Sequence, residues 1–264
     1  MQQETGQQTS GNARSSTLQR RSAARTAVVW DALRDVLATA TSERVLHVLD
    51  VGGGTGGFAV LVAGLGHRVT VVDPSPDALA ILARRAEESG VADRVTGLQG
   101  DLASLPALLG DGDAGRPVDA VLCHGVLEIV DDPATALAGL AAVLRPGGTL
   151  SLLVNQRHAA VLTRAMAGHF VQARALLDDP TGGAGHAGSG RRFTADELAG
   201  LLVGAGFTPD AMHAVRVFAD LVPSSLVDLE PGAAGALVEL ERAVSTRPEY
   251  LPLATQVHVL ARRH

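Results

Sequence analysis

The stretch Val48-Leu49-Asp50-Val51-Gly52-Gly53-Gly54-Thr55-Gly56-Gly57 joins an apolar run to five closely spaced glycines. This pattern predicts a buried strand that enters a tight turn, because glycine adopts positive φ freely and lets the backbone approach a ligand closely. The apolar residues 58–63 then predict a helix, whose first N–H groups face whatever lies above the glycines. The stretch therefore predicts a site for a nucleotide-like ligand.

One spacing within this stretch matches the fingerprint of dinucleotide-binding proteins. Gly52, Gly54 and Gly57 fit the pattern G-x-G-x-x-G. Asp73 lies about 20 residues further on, at the end of the next apolar run, where an acidic side chain can bind ribose hydroxyls. On this spacing alone, an NAD(P)-dependent oxidoreductase is one candidate function.

The composition excludes several other classes of site. The chain has one cysteine, Cys123, so it can form neither an intrachain disulfide nor a thiolate metal cluster. All 22 basic residues are arginine, and the absence of lysine excludes a Walker-type phosphate loop and a Schiff-base lysine. The formal net charge of -6 argues against broad nonspecific binding to nucleic acid, although a local basic patch remains compatible with it.

The 264 residues predict one large domain behind a polar tail. Residues 1–24 are rich in Gln, Ser and Gly, and we expect them to be disordered because they cannot bury a core. The domain is expected to span 25–264. Its apolar runs are shorter than a membrane span of about 20 residues, and the sequence indicates no signal peptide, so we expect a soluble cytoplasmic protein without membrane association.

Strand-like and helix-like patterns alternate along this domain. The predicted strands are residues 45–51, 68–73, 94–100, 118–124, 149–155, 212–218 and 256–261. The predicted helices are residues 26–40, 58–64, 76–89, 134–144, 156–177, 194–205 and 233–244. Such alternation predicts an α/β fold with a doubly wound, mostly parallel seven-stranded sheet that binds ligands at the carboxyl ends of its strands.

Four polar side chains stand at these predicted strand ends. Asp50, Asp73, Asp101 and His124 each come at the end of one of the first four strands. Any one of them could be an ordinary solvated strand end. Four in successive strands indicate a binding crevice along one edge of the sheet.

Two motifs resemble those of class I S-adenosylmethionine-dependent methyltransferases. The first is the spacing Asp50-x-Gly52-x-Gly54-x-Gly56. The second is Arg145-Pro146-Gly147-Gly148, where Pro146 is expected to end a helix and the glycine pair to turn the chain into the fifth strand. The resemblance implies the Rossmann-like methyltransferase fold, with the last strand antiparallel, and S-adenosylmethionine as the cofactor.

A closer resemblance covers the chain from about Arg25 to its C-terminus. Residues 119–128, 214–218 and 257–262 resemble the bacterial tRNA 5-carboxymethoxyuridine methyltransferase family, which methylates a carboxylate on a wobble uridine. Together with the first motif, the resemblance implies a set of cofactor contacts. These are Arg25, Asp50, Gly52, Gly53, Gly54, Asp73, Asp101, Leu102 and His124.

The acceptor side of the reaction follows from the chemistry of a carboxylate. A carboxylate is ionised at neutral pH, so we expect that no catalytic acid or base and no metal is required. An arginine can instead bind the carboxylate through two hydrogen bonds, and Arg216 and Arg157 are candidates. His158 is a candidate base for a different acceptor, such as a hydroxyl or an amine.

Departures from the family leave the acceptor open. Ile129 stands where the family has Trp, residues 1–24 contain no aromatic residue, and a Gly-rich loop or lid at 178–192 replaces a lysine-rich segment. These positions are where RNA would be bound by stacking and charge. The alternatives are a small-molecule O- or N-methyltransferase of the same fold, an NAD(P)-dependent oxidoreductase, and a noncatalytic cofactor-binding module.

Overall fold

The structure is a computed structural model that describes residues 26–39, 44–110, 118–178, 190–229 and 232–264. The predicted tail, the candidate contact Arg25 and most of the predicted lid lie outside the described residues. Within the described ranges, no helix is both long and apolar enough to cross a membrane.

Seven strands form one sheet in the order β3-β2-β1-β4-β5-β7-β6. Their bounds are β1 His47–Val51, β2 Arg68–Asp73, β3 Val95–Gln99, β4 Val118–His124, β5 Leu144–Asn155, β6 Phe207–Val215 and β7 Gln256–Arg263. The last strand, β7, lies between β5 and β6 and is antiparallel to both, whereas the other pairs are parallel. The predicted fold class is confirmed.

Helices cover both faces of the sheet. They are α1 26–39, α2 Gly57–Gly64, α3 Pro76–Glu88, α4 Leu105–Gly110, α5 Pro133–Val143, α6 Arg157–Met166, α7 Phe170–Asp178, α8 Ala195–Gly204, α9 Ser224–Leu229 and α10 Ala233–Ser245. Short 3-10 helices add Leu102–Ser104 and Pro248–Leu253. Helices α1, α2 and α3 pack one buried apolar cluster, and α5 and α8 pack another on the opposite face.

Capping side chains determine where two of these helices begin. The Ser75 hydroxyl accepts a hydrogen bond of 3.2 Å from the Ala78 amide, and Pro76 occupies the first turn of α3. Thr194 and Glu197 form the predicted capping box at the start of α8. Both starts follow from side chains that satisfy N–H groups left free at a helix N-terminus.

The prediction around the second motif was wrong in detail. Helix α5 ends at Val143, and β5 begins at Leu144, so Pro146 lies inside the irregular start of a long strand and does not itself end the helix. Arg145 donates a hydrogen bond of 2.6 Å from Nε to the buried carboxylate of Asp119. Arg44, just before β1, also pairs with Asp119, so this carboxylate joins the amino ends of β1, β4 and β5.

The single predicted helix over 156–177 is two helices. Gly168 adopts a φ of 78° between α6 and α7, a left-handed conformation that a continuous helix cannot contain. The periodic pattern on both sides of Gly168 predicted helix correctly, but the pattern does not reveal the change of direction.

The sixth strand was predicted to begin five residues, and to end three residues, later than it does. It runs from Phe207 to Val215 and stops because Arg216 adopts a φ of 60°. The apolar residues that follow do not pair with a strand. Instead, the amides of Val217, Phe218 and Ala219 donate hydrogen bonds of 3.0, 2.8 and 2.7 Å to the buried carboxylate of Glu241.

Candidate functional site

The glycine turn lies at the carboxyl end of β1 in a conformation that requires glycine. Gly52, Gly54 and Gly56 have φ angles of 68°, 54° and 76°. A Cβ atom on Gly52 would collide with Val126, and one on Gly53 would come within 2.5 Å of an Asp50 carboxylate oxygen. Side chains of the protein itself therefore pack directly against the backbone of the turn, and only glycine fits at these positions.

The fourth and fifth glycines distinguish the two nucleotide-binding spacings. Gly56 has positive φ, and a Cβ there would collide with the Leu82 side chain of α3. Gly57 has no atom within 4 Å of its Cβ position. In the dinucleotide fingerprint, the third glycine permits close packing of helix against strand. Because Gly57 has open space and Gly56 does not, the structure favours the Asp50-x-Gly52-x-Gly54-x-Gly56 spacing.

Asp73, the last residue of β2, holds the turn in place. Its two carboxylate oxygens accept hydrogen bonds of 2.9 Å from the Gly54 amide and 2.9 Å from the Ser75 amide. A carboxylate has about four acceptor positions, so two remain available to a ligand. The side chain is buried and faces the glycines, which suits it to bind paired hydroxyls at this edge.

Asp50 lies beneath the turn as the second carboxyl group. It is 3% exposed, and burial, together with the nearby charge of Asp73, raises the pKa of Asp50 to about 7. An ionised Asp50 is therefore costly unless a positive charge comes close. This arrangement matches a ligand that carries positive charge.

His124 completes this part of the site at the end of β4. Its Nε2 lies 2.9 Å from the Ser151 hydroxyl, and its ring packs edge-on against Phe58 at a centroid distance of 4.9 Å. Burial lowers the pKa of His124 to about 4, so the ring is neutral at physiological pH. Asp50, Asp73 and His124 thus meet at the carboxyl edge, on the neighbouring strands β1, β2 and β4.

Asp101 and Leu102 lie at the far side of the same edge, and the Asp101 side chain is exposed, unlike the buried Asp50 and Asp73. Strand β3 ends at Gln99, and Asp101 is the exposed N-cap of the first 3-10 helix. The amide of Ser104 donates to the Asp101 carboxylate at 3.0 Å, and this hydrogen bond and others from Ser104 lower the pKa of Asp101. The carboxylate is therefore fixed in direction by its own turn.

Arg216, one of the candidate acceptor contacts, lies at the same edge beyond β5. Its Nη1 donates to the Gln256 side chain at 3.3 Å, and its Nη2 pairs with Asp220 at 2.6 Å. Gln256 in turn lies 3.5 Å from the side chain of Asn155, at the end of β5. The Nε of Arg216 is buried and has no partner among the described residues. An unsatisfied donor in a strained backbone is a common mark of a functional residue.

The other two candidate acceptor contacts are placed differently. The Nη2 of Arg157 donates to both carboxylate oxygens of Glu197, at 2.7 and 2.6 Å, and thereby ties α6 to α8. His158 is exposed in the first turn of α6. Arg157 is therefore engaged in a contact between two helices, although its buried Nε also has no partner among the described residues. The Nδ1 of His158 lies 3.4 Å from the side-chain amide of Gln156.

Other residues at this edge had not been singled out in the sequence. Glu128 is buried, and its Oε1 accepts a hydrogen bond of 2.8 Å from the Asn155 amide, whereas its Oε2 has no partner among the described residues. Burial raises the pKa of Glu128, and the charge of Arg192 partly opposes that rise. Ser151 and His258 form buried hydrogen bonds behind His124. The only signal for these residues is cross-strand register, which the sequence does not display.

Comparison with known proteins identifies related chains. Residues 48–148 match the family described as a methyltransferase domain. The tRNA 5-carboxymethoxyuridine methyltransferase of Escherichia coli (strain K12) is 31% identical over 245 residues, which cover 90% of this chain and 88% of that protein. A ubiquinone biosynthesis O-methyltransferase of Methylocella silvestris is 37% identical over 105 residues, covering 40% of this chain and 38% of that one.

Solved structures share the fold at low sequence identity. The magnesium protoporphyrin IX methyltransferase of Synechocystis PCC 6803, solved with bound SAH, superposes with a TM-score of 0.59 at 16% identity, covering 93% of this chain and 86% of that one. The [4+2]-cyclase SpnF superposes with a TM-score of 0.57 at 22% identity, covering 88% and 81% of the two chains. At these identities the likeness establishes the fold and not the reaction.

Replacing neighbouring glycines tests which spacing the turn obeys. Gly56→Ala is expected to lower the free energy of unfolding by about 2 to 4 kcal/mol, because alanine is strained at positive φ and its Cβ meets Leu82. Gly57→Ala, the matched control, should leave stability unchanged or raise it by up to about 1 kcal/mol. Urea unfolding of both variants measures the difference. Equal losses would contradict this account of the turn.

Asp50→Asn tests the buried carboxyl group. Because the folded-state pKa of about 7 exceeds the ordinary value of 3.8, the wild-type protein is expected to lose stability as pH rises from about 4 to 7. The uncharged amide of the variant has no such loss, so the variant should gain up to roughly 4 kcal/mol over wild type by pH 8 and almost nothing at pH 4.

The measurement is urea unfolding of the ligand-free protein at several pH values. Asp93→Asn, at an exposed position, serves as the control and should show no pH-dependent gain. A constant difference between Asp50→Asn and wild type across this pH range would contradict the pKa assigned to Asp50.

Proposed function

This chain belongs to the family of the tRNA 5-carboxymethoxyuridine methyltransferases, which are S-adenosylmethionine-dependent enzymes, and we propose that it methylates the carboxylate of 5-carboxymethoxyuridine in tRNA. The observation that carries the proposal is the 31% identity to the Escherichia coli enzyme, which spans 90% of this chain. The geometry of the carboxyl edge supports it in two parts, a cofactor side and an acceptor side.

The residues of the cofactor side fit S-adenosylmethionine. The nearest atom to a Cβ placed on Gly54 is an Asp73 oxygen at 3.8 Å, so the turn is open at this glycine, and Asp73 keeps two acceptor positions for ribose hydroxyls. Asp50 can ionise beside a cation, and His124 is neutral and does not repel one. When bound, the cofactor supplies an electrophilic methyl group on a sulfonium.

In the same proposal, the other cofactor contacts are Gly52, Gly53 and Gly54 in the turn, and Asp101 with Leu102 at the end of β3. The amides of Gly52 and Gly54 already donate to the Val72 carbonyl and to Asp73, so the cofactor would pack against the turn without using these two N–H groups. The Asp101 carboxylate is held outward by Ser104 and can meet the base. Arg25, which precedes α1, is proposed as a contact of the methionine carboxylate.

The acceptor side fits a carboxylate. Arg216 stands at the end of β6 with an unpaired Nε, and Gln256 connects it to Asn155 at the end of β5. A guanidinium group binds a carboxylate through two parallel hydrogen bonds, and at Arg216 these would come from Nε and from Nη2, where the acceptor would replace Asp220. The protein's task is then to align the acceptor with the methyl group and to exclude water, an effect worth up to about 7 to 11 kcal/mol in well-oriented systems.

A catalytic base is not needed for this acceptor. The carboxylate is already ionised at neutral pH and can attack the methyl group without losing a proton. His158 becomes relevant only if the acceptor is a hydroxyl or an amine. The same holds for a metal ion, which a carboxylate acceptor does not require.

A small-molecule acceptor is the second candidate, and specific observations favour it. Ile129 is 75% exposed beside the site and offers an aliphatic surface in place of an aromatic stacking surface. The overall charge is negative, and the chain contains no lysine to contact phosphates. An NAD(P)-dependent reaction loses its specific support, because Gly57 does not occupy the close-packed position of the dinucleotide fingerprint.

A methyl-transfer assay tests the tRNA proposal directly. The purified protein is incubated with methyl-labelled S-adenosylmethionine and tRNA from an Escherichia coli strain that lacks its own tRNA 5-carboxymethoxyuridine methyltransferase. We expect label in the tRNA, and mild alkali should release it as methanol, because a methyl ester hydrolyses whereas an N-methyl or C-methyl group does not. Unmodified tRNA transcripts are the control and should remain unlabelled.

Other outcomes of this assay select the alternatives. Label that resists alkali would refute a methyl ester, and label found only in the small-molecule fraction of a cell extract would identify the second candidate. Absence of transfer to any fraction, combined with binding of S-adenosylhomocysteine, would indicate a noncatalytic module.

Arg216→Gln tests the acceptor contact. If Arg216 binds the acceptor carboxylate, its loss should lower kcat/KM for tRNA by about 10- to 100-fold, since hydrogen bonds to a charged group contribute about 1.5 to 3 kcal/mol. The KM for S-adenosylmethionine should stay the same. Arg84→Gln, which removes an exposed arginine of α3, is the control and should have no effect. An unchanged kcat/KM in Arg216→Gln would remove this residue from the acceptor site.

A further inference from the structure

Three histidines from different strands occupy one row across the sheet. His124 of β4 pairs in register with Leu153 of β5, Leu153 pairs with His258 of β7, and His258 pairs with His213 of β6. Cross-strand partners point to the same face of a sheet, so the three imidazole rings and Leu153 share one face. The row starts at the proposed cofactor side and ends at the outermost strand.

Ser151 connects the rings across the gap that Leu153 leaves. Its side chain lies on the same face, two residues before Leu153 on β5. The Ser151 hydroxyl lies 2.9 Å from Nε2 of His124 and 2.8 Å from Nε2 of His258. The Nδ1 of His258 lies 3.3 Å from the Nδ1 of His213. A continuous chain of hydrogen bonds therefore runs from His124 to His213.

The middle of this hydrogen-bond chain is buried, whereas His124 and His213 at its two ends are half-buried. Ser151 is 1% exposed and His258 is 0% exposed. Burial lowers the pKa of His124, His213 and His258, so all three rings are neutral. A neutral imidazole has one N–H donor and one nitrogen acceptor, and a serine hydroxyl has a single proton.

These rules make the tautomers of the three rings depend on one another. When the hydroxyl proton of Ser151 points to His258, His124 must donate from Nε2, and His258 must donate from Nδ1 to His213. When that proton points to His124, every donor in the chain is reversed. The first arrangement places two of the three rings in the Nε2–H form, which free histidine prefers. It also leaves the Nδ1 of His124 with a lone pair.

We propose that Ser151 and His258 are positioning residues, which hold His124 in its Nε2–H tautomer with the Nδ1 lone pair available to the cofactor. The Nδ1 of His124 has no hydrogen-bond partner among the described residues, so this acceptor is free for a ligand. An acceptor suits a cationic ligand, in keeping with the carboxyl groups of Asp50 and Asp73 nearby. The inference rests on the proposed contact between His124 and S-adenosylmethionine.

His258→Phe tests the proposal at a residue that does not touch His124 through a hydrogen bond. Phenylalanine keeps a buried ring but removes the acceptor of the Ser151 proton. That proton must then turn to Nε2 of His124, so His124 should change to the Nδ1–H tautomer. The measurement is the ¹⁵N chemical shifts of both ring nitrogens in histidine-labelled protein, with His124→Gln used to assign the signals.

A rescue variant separates positioning from packing. In His258→Gln, the side-chain amide oxygen can accept the Ser151 proton, so the Nε2–H tautomer of His124 should return. The KM for S-adenosylmethionine should rise about 2- to 10-fold in His258→Phe, as expected for one neutral hydrogen bond, and fall back in His258→Gln, with kcat changing less. Thr149→Val, which removes a hydroxyl from the same strand and face, is the control and should change neither quantity.

The outcomes test the chain of hydrogen bonds and the contact between His124 and the cofactor separately. Nδ1–H in the wild-type protein, or Nε2–H retained in His258→Phe, would overturn the proposal whatever the enzyme's substrate. In another outcome, the tautomer changes as expected while added S-adenosylhomocysteine leaves the ¹⁵N chemical shifts of His124 unchanged. In that case the chain of hydrogen bonds sets the tautomer, but His124 does not contact the cofactor. That result would also overturn the positioning role, without bearing on the acceptor.

Discussion

The structure depends on a turn that has no room for side chains at Gly52, Gly53 and Gly56. At its start, Val126 closes over Gly52, and at its end, Leu82 of α3 occupies the space that a side chain on Gly56 would need. Between them, the Gly54 amide is fixed by the carboxylate of Asp73, which belongs to a different strand. The turn is thus held by β2, α3 and the segment after β4 together, so the site cannot form before these elements have packed.

The charges around this turn are arranged for a cation. Asp50 and Asp73 place two carboxyl groups under the glycines, and burial, together with the charge of Asp73, raises the pKa of Asp50 to about 7. On the other side, burial keeps the histidines of the cross-strand row uncharged. A positive ligand therefore gains from the carboxyl groups of Asp50 and Asp73, and the neutral ring of His124 does not repel it. The fold achieves this without lysine and without a metal cluster of cysteine, both of which the composition already excluded.

Much of this could be predicted because it is encoded locally. The glycine turn, the Ser75-Pro76 helix start and the Thr194 capping box each depend on residues within a few positions of one another. By contrast, the end of β6 depends on Glu241, a residue of α10, which binds the amides of Val217 and its neighbours. An apolar sequence there resembles a strand, and only the distant carboxylate shows that it is a turn.

The order of the last strands explains why the contact of Gln256 with Arg216 and the row of histidines were not predicted from the sequence. Strand β7 enters the sheet between β5 and β6 and runs antiparallel to both, so its first residues lie at the carboxyl edge of the parallel strands. Gln256 thereby comes to lie between Asn155 and Arg216, and His258 between Ser151 and His213. One C-terminal strand thus supplies the link to the acceptor side and the link behind the cofactor side. Because both links are set by register across three strands, a displacement of β7 by a single residue would break them together.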